Sequence, residues 1–131
     1  MTENEISKLI LDSAIAVHRE LGPGLLESVY EIVLAYELQQ RGLRVDRQVP
    51  IAIRYKDMIF DAAFRADLVV EEKVLVELKS VEQICEAHKK QVQTYLRLRG
   101  YKLGFLLNFG EALMKRTRVV NGLQDEKPFA P

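Results

Sequence analysis

The chain has 131 residues, of which 48% are apolar and 29% are charged, and its formal net charge is zero. These values are ordinary for a soluble globular protein and leave room for one domain with a hydrophobic core. No apolar run approaches the roughly 20 residues that a membrane-spanning helix needs. The single cysteine, Cys85, excludes a disulfide framework and a cysteine-based zinc site. With no secretory signal pattern at the N-terminus, we expect a cytoplasmic protein without a membrane segment.

The charge is distributed unevenly along the chain. Residues 1–78 hold 9 Lys/Arg and 14 Asp/Glu, a balance of −5, whereas residues 79–118 hold 9 Lys/Arg and 3 Asp/Glu, a balance of +6. A net charge of zero alone argues against a nucleic-acid partner, but fields act locally. The basic 79–118 region therefore predicts nucleic-acid binding, and two differently charged solvated faces are the alternative.

Hydrophobic spacing predicts helices first and then a sheet. The apolar residues of the first segment recur at helical spacing until Gly22-Pro23-Gly24 interrupts them, and Gly42 suits the end of a second helix. The predicted elements are, in chain order, helices over 5–20 and 25–40, strands over 43–56 and 58–70 (the latter as one strand or two), a strand over 74–80, a helix over 83–99, a strand over 103–109 and an edge strand over 114–120.

This order of elements predicts a mixed sheet flanked by helices, an α/β or α+β sandwich. Tight hairpins make part of the sheet antiparallel. The helix between strands 74–80 and 103–109 makes that pair parallel, with a right-handed crossover. We expect one domain over 1–120 and a disordered polar tail over 121–131.

The strand 74–80 carries two opposite charges within an apolar segment. Because side chains alternate in a strand, Glu77 and Lys79 share one face. If Glu71-Glu72-Lys73 is the hairpin loop, Asp67 lies directly opposite Glu77, and opposed like charges destabilise a strand pair. A divalent cation between the carboxylates would relieve the repulsion, and acids at a solvent edge are the alternative. Lys79 beside such a cation could orient water or stabilise charge on phosphate, and a salt bridge is the alternative.

Three further polar side chains are candidates for the same site. Gln91 and Tyr95 stand four residues apart on a helical face that should pack on the sheet. A glutamine there needs hydrogen-bond partners, which the Glu77 strand could supply, unless it lies exposed at the edge. Glu27 follows Pro23-Gly24 in the first turn of a helix, where the helix dipole alone also favours an acid.

These positions resemble motifs of a known superfamily. Asp67, then nine residues, then Glu77-Leu78-Lys79 resembles the core of the PD-(D/E)XK nuclease superfamily, with Ala66 in place of the proline. Gln91 and Tyr95 are similar to the QxxxY motif of exonuclease-like members.

Two other segments resemble the small GxxExxY family, which is usually placed in this superfamily. The first is Gly24-Leu25-Leu26-Glu27-Ser28-Val29-Tyr30, which matches the signature in the family's name. The second is Asn108-Phe109-Gly110, which is similar to the end of a later strand in that family. Together the motifs cover roughly residues 5 to 120, and their order and spacing make the resemblance fairly specific.

The resemblance implies a restriction-endonuclease-like fold and a nuclease that hydrolyses phosphodiester bonds of DNA or RNA. It implies a catalytic set of Asp67, Glu77, Lys79 and Glu27. The three carboxylates would bind Mg²⁺ or Mn²⁺, and the lysine would position or activate the attacking water. Gln91 and Tyr95 would support the site or contact the nucleic-acid strand. The alternative is a non-catalytic nuclease-fold module that binds nucleic acid or a protein partner, and a homodimer is plausible for so small a domain.

Overall fold

The computed structural model describes residues 1–123, which form three helices and one five-stranded sheet. Every predicted element is present in the predicted order, and residues 58–70 form a single strand. The helices are α1 (Glu3–Leu21), α2 (Glu27–Gln40) and α3 (Glu86–Arg99), and the strands are β1 (Val45–Tyr55), β2 (Met58–Val70), β3 (Val74–Lys79), β4 (Leu103–Asn108) and β5 (Lys115–Val120).

Local hydrogen bonds explain why the helices begin a few residues away from the predicted positions. Thr2 and Glu5 form a reciprocal capping box, so α1 begins earlier than its apolar spacing suggests. The Tyr30 hydroxyl donates to the Gly22 carbonyl and accepts from the Leu25 N–H, and these bonds hold the residues before α2 in a loop.

The sheet has the strand order β1-β2-β3-β4-β5, with β3 and β4 parallel and the other neighbours antiparallel. Helix α3 makes the predicted crossover between the two parallel strands. The β2–β3 hairpin has the predicted register over its three pairs, from Val70↔Val74 to Leu68↔Val76, and Asp67 and Glu77 are the next residues beyond the last pair. The register prediction is confirmed.

Helices cover both faces of the sheet. Helices α1 and α2 pack on one face around the larger apolar cluster, which includes Ile10, Leu34 and Leu78. Helix α3 packs on the other face through Val92 and Leu96. Among residues 1–123, no helix combines the length and apolarity that crossing a membrane requires.

Strand β1 changes the face that it presents to the core at Gln48. Side chains two residues apart share a face in a regular strand. Val45 nevertheless packs against the α1–α2 cluster, whereas Val49 belongs to the α3 cluster. Gln48 lies between them with a φ of 52°, in the left-handed region that non-glycine residues rarely adopt. This conformation shifts the alternation by one residue.

Strand β2 changes face at the matching position. Ala66 packs in the α3 cluster and Leu68 in the α1–α2 cluster. The residues that flank Gln48 pair with the residues that flank Asp67, so these two side chains lie opposite each other. The ladder between β2 and β3 ends at Leu68. Asp67 therefore lies where β2 separates from β3, and the β1–β2 hairpin continues beyond it.

The first residues of the predicted tail contact the domain. The Asn121 backbone N–H donates to the Lys102 carbonyl at 2.8 Å, its side-chain amide donates to the Tyr101 carbonyl at 3.0 Å, and Leu123 packs against the core. The rest of the predicted tail, residues 124–131, lies outside the described residues.

Candidate active site

The carboxylates of Asp67 and Glu77 replace the backbone ladder where β2 and β3 separate. The Asp67 N–H donates to Glu77 Oε2 at 2.7 Å, and the Leu78 N–H donates to Asp67 Oδ2 at 2.9 Å. Each carboxylate therefore satisfies a backbone donor of the opposite strand. The pair is built into the sheet, and its geometry depends on the hairpin register rather than on a flexible loop.

Glu77 is buried beside another acid, and this raises its pKa. Burial makes the largest contribution and the negative charge of Asp67 the next, and together they raise the pKa of Glu77 to about 8. The Asp67 N–H and the positive charge of Lys79 act in the opposite direction, with smaller effects. Among residues 1–123, no basic side chain forms a salt bridge with either carboxylate. Within these residues, Asp67 and Glu77 therefore have backbone hydrogen bonds but no salt-bridge partner.

Lys79 is half-buried at the end of β3, on the same strand face as Glu77. Its charge lowers the pKa of Glu77 slightly. Within the described range, Lys79 forms no salt bridge with an acidic side chain, so the salt bridge that the sequence left open is not found there. The ammonium group is available to a ligand at this edge of the sheet.

The two carboxylates fit a hard divalent cation. One oxygen of each accepts a backbone N–H, and the second oxygen of each, Asp67 Oδ1 and Glu77 Oε1, has no such bond. Mg²⁺ and Mn²⁺ prefer oxygen ligands of this kind and are commonly held by one or two carboxylates. Within residues 1–123, no three His, Cys, Asp or Glu side chains are arranged to hold a metal ion together. Asp67 and Glu77 therefore stand as a pair.

Tyr95 and Gln91 lie on the α3 side of this pair. Tyr95 is buried, and its ring packs against Phe64 with centroids 5.0 Å apart. Burial, followed by the charges of Glu77 and Asp67, raises the pKa of Tyr95 to about 12. The half-buried Gln91 side chain has a smaller opposite effect on the same pKa. Tyr95 packs on the sheet as predicted and lies near the carboxylates, and Gln91 contacts Tyr95.

Glu27 lies at the start of α2, beside the residue that follows Lys79. Its Oε2 accepts the Ser80 N–H at 3.4 Å, and the Ser80 hydroxyl donates to the Leu25 carbonyl at 2.9 Å. Glu27 is exposed and forms no three-acid group with Asp67 and Glu77 within residues 1–123. Its contact ties the α2 start to β3, and its role as a metal ligand stays a prediction.

The sequence analysis missed Glu31, a buried acid one helical turn after Glu27. Glu31 Oε2 pairs with Arg47 at 3.0 Å, and Glu31 Oε1 accepts from the Gln48 amide at 2.7 Å. Burial raises the pKa of Glu31, and the charge of Asp67 acts in the same direction. The spacing of four residues from Glu27 is the signal that places Glu31 on the same helical face.

Asn108 fixes the backbone that leaves β3 after Lys79. The Asn108 side chain is fully buried and forms four hydrogen bonds, to the Val81 N–H, the Val81 carbonyl, the Gly110 N–H and the Glu111 carboxylate. A Cβ at Gly110 would lie 2.4 Å from the Val81 backbone, so only glycine allows this approach. The Asn108-Phe109-Gly110 segment thus supports the edge that carries Lys79.

Comparisons with known proteins agree with this architecture. The crystal structure of SSO0001 is similar to the chain, with a TM-score of 0.57 and 18% sequence identity over 93% of the chain. The chain spans 61% of that protein's length. At this identity the similarity shows the fold alone, and it agrees with the restriction-endonuclease-like sheet that the sequence predicted. No curated protein matches the chain.

A family profile matches almost the whole described domain. It is that of the PD-(D/E)XK nuclease superfamily, and it covers residues 4–120. Members of this superfamily generally use divalent metal ions. The finer resemblance to the GxxExxY family stays a prediction. From the fold and this match we conclude that the chain belongs to the PD-(D/E)XK nuclease superfamily.

Proposed function

We propose that the chain is a metal-dependent nuclease that hydrolyses phosphodiester bonds of DNA or RNA. The observation that carries the proposal is the Asp67–Glu77 pair. Two carboxylates from adjacent strands are fixed by each other's backbone, lack a basic partner within residues 1–123, and lie beside Lys79. A scaffold alone would gain nothing from this repulsion, because opposed like charges on adjacent strands are destabilising.

The residues of the site suggest a division of roles. Asp67 and Glu77 would hold Mg²⁺ or Mn²⁺, with Glu27 as a candidate third ligand. When bound, the cation supplies Lewis-acid polarisation of the scissile phosphate and lowers the pKa of a nearby water. The Lys79 ammonium attracts the phosphate and stabilises the negative charge that develops on it during attack. Tyr95, with a pKa of about 12, keeps its hydroxyl proton at neutral pH and can donate a hydrogen bond.

Exposed basic side chains support a nucleic-acid substrate. They lie along α3, its C-terminal loop and β5, which together follow the strand that carries Glu77. The exposed basic residues of these elements include Lys90, Arg97, Arg99, Lys102, Lys115 and Arg116. Such contacts would bind the phosphate backbone without reading sequence, and they would weaken as the salt concentration rises.

The geometry of the Gly24–Tyr30 segment supports a place in the GxxExxY family. Gly24 has a φ of 106°, which side-chain-bearing residues rarely adopt. Glu27 contacts Ser80, and the Tyr30 hydroxyl bonds the loop while its ring stacks on Phe109 with centroids 4.5 Å apart. Each residue of the motif therefore has a distinct role in docking α2 against the end of β3.

A cleavage assay tests the nuclease proposal. We expect the wild-type chain to cleave single- or double-stranded DNA or RNA with Mg²⁺ or Mn²⁺ and to lose the activity in EDTA. Lys79→Ala should reduce the rate about 100-fold, because it removes a charge that stabilises the transition state. Lys8→Ala, on the exposed surface of α1 and outside the basic 79–118 region, is the matched control. Absence of cleavage on every substrate, or equal rates for the wild type and Lys79→Ala, would reject the proposal.

The end of the β1–β2 hairpin favours a second candidate function, a nuclease-fold module that pairs with a second copy of itself. Four apolar side chains there, Tyr55, Met58, Ile59 and Phe60, are each more than half exposed. An exposed cluster of this kind marks an interaction surface. The same end carries exposed charges of both signs, including Lys56 and Asp57, so a two-fold arrangement can match bases with acids.

Sedimentation velocity tests the second candidate function. We expect the wild type to sediment as a dimer and the double variant Met58→Ser/Phe60→Ser to sediment as a monomer. Leu113→Ser is the matched control, because Leu113 is an even more exposed apolar side chain and lies outside the hairpin. A monomeric wild type, or a double variant that remains dimeric, would contradict this function.

A further inference from the structure

The Gln48 side chain joins two acids of the site. Its amide nitrogen Nε2 donates to Glu31 Oε1 at 2.7 Å and lies 3.4 Å from Asp67 Oδ1. The first contact is a short hydrogen bond to a carboxylate, and the second is a longer one. Asp67 Oδ1 is the oxygen that accepts no backbone N–H. The amide therefore contacts the oxygen of Asp67 that the proposed function assigns to the cation.

The backbone of Gln48 is what makes this contact possible. Consecutive side chains of a strand normally point to opposite faces. Arg47 and Gln48 are consecutive, yet both bond the Glu31 carboxylate on α2. The left-handed φ of 52° at Gln48 accounts for this arrangement, because it shifts the alternation of β1 by one residue. This conformation is unfavourable for a residue with a Cβ and is more often occupied by glycine or asparagine.

The left-handed backbone conformation at this position favours glycine over glutamine. Glycine would adopt the same φ without strain and would allow the same change of face. Strained residues are found where the surrounding structure uses them, typically at functional sites. The contacts of the amide supply such a use, because glycine has no side chain to make them.

We propose that Gln48 is a positioning residue, whose side-chain amide fixes the Asp67 carboxylate for cation binding by tying it to the buried Glu31. The inference rests on the proposed function, in which Asp67 and Glu77 hold a divalent cation. The Gln48 amide nitrogen donates hydrogen bonds to the two carboxylates and is not a cation ligand, so it acts through Asp67. Arg47 pairs with the other oxygen of Glu31, Oε2, and so holds the Glu31 carboxylate in place.

Two substitutions separate the side chain of Gln48 from its backbone. Gln48→Gly removes the amide and relieves the left-handed strain, whereas Gln48→Leu removes the amide and keeps the strain. Lys56→Gly is the matched control for the backbone. Lys56 has a nearly identical φ of 53°, but it lies in the turn between β1 and β2, well away from Asp67 along the hairpin.

Calorimetry with Mn²⁺ measures the effect on the proposed cation site. We expect both Gln48 variants to raise the Mn²⁺ dissociation constant about tenfold, the effect typical of losing a residue that orients a metal ligand. Lys56→Gly should leave it unchanged. If the wild type binds Mn²⁺, an unchanged Mn²⁺ dissociation constant in either Gln48 variant overturns the inference. An effect seen in only one variant would arise from the changed backbone of Gln48→Gly or from the bulk of the leucine in Gln48→Leu, and not from loss of the amide.

Hydrogen exchange in EDTA tests the inference without a metal. The Leu78 N–H donates to Asp67 Oδ2, so it reports how firmly the Asp67 carboxylate is held. We expect this amide to exchange about tenfold faster in both Gln48 variants than in the wild type or in Lys56→Gly. Unchanged exchange overturns the inference whatever the calorimetry shows. If the Gln48 variants exchange faster but the wild type binds no Mn²⁺, the proposed function is rejected, and the role of Gln48 in positioning the Asp67 carboxylate still stands.

Discussion

Replacing Glu77 by Gln is expected to have opposite effects on stability and on cleavage. The metal-free variant should unfold at a higher temperature than the wild type at pH 8. Its cleavage rate should fall about 1,000-fold, which corresponds to about 4 kcal/mol of transition-state stabilisation. Gln keeps the shape of Glu and removes its charge, so the change relieves the repulsion from Asp67 and also removes a proposed cation ligand.

The stability difference between the wild type and Glu77→Gln depends on pH, and the raised pKa of Glu77 sets the direction of that dependence. Burial and Asp67 raise this pKa from 4.5 to about 8. Between these pH values the folded chain holds a proton that the unfolded chain releases, so the free energy of unfolding falls as pH rises. The contribution of Glu77 is fully present below about pH 4.5 and is lost as pH passes through about 8. The Gln variant cannot release this proton and should not show this loss.

Thermal unfolding in EDTA from pH 5 to 9 measures the effect. Glu82→Gln is the matched control, because Glu82 is an exposed acid just after β3, and its curve should follow that of the wild type. Added Mn²⁺ should stabilise the wild type more at pH 8 than at pH 6, since cation binding requires the ionised carboxylate. A Gln variant no more stable than the wild type at pH 8 would contradict the buried, repelled state of Glu77.

The register of the β2–β3 hairpin is the part of the site that the sequence predicts best. A three-residue loop between two apolar runs leaves one pairing that keeps both apolar faces buried, and a shift by one residue would expose them. This pairing sets Asp67 opposite Glu77 before any tertiary contact is known. The same patterns define the helices, because burial of one face requires helical spacing whatever the helix packs against.

Gln48 and Glu31 were not predictable for a different reason. A glutamine in an alternating segment carries no signal for a left-handed conformation, since propensity favours extended backbone there. The conformation arises because β1 must change faces opposite Asp67, and this is a property of the hairpin pair. Glu31 reads as a surface acid of α2 until Arg47 and Gln48 are brought to it from 16 and 17 residues away.

Replacing Asn108 by Ala is expected to cause the largest loss of stability among these changes. The variant should lower the free energy of unfolding by about 3–5 kcal/mol. The Val81 N–H, the Val81 carbonyl and the Gly110 N–H would each lose the partner that Asn108 gives them. Asn108 is fully buried, so water does not readily replace these bonds.

Denaturant unfolding of Asn108→Ala and Asn121→Ala separates this effect from the loss of an ordinary side-chain bond. Asn121 donates one side-chain hydrogen bond, to the Tyr101 carbonyl, and its replacement should cost about 1 kcal/mol. Similar losses for the two variants would show that the Asn108 bonds are weak or replaceable.

The Asn108 substitution also tests whether the end of β3 must be rigid for cleavage. Asn108 pairs with Lys79 across the parallel strands and fixes the backbone two residues after it. At temperatures where Asn108→Ala remains folded, we expect slower cleavage with an unchanged Mn²⁺ affinity, because Asp67 and Glu77 are held by their own strand contacts. A loss of Mn²⁺ affinity equal to the loss of rate would instead mean that the carboxylate pair depends on the β4 end, and that the hairpin register alone does not hold it.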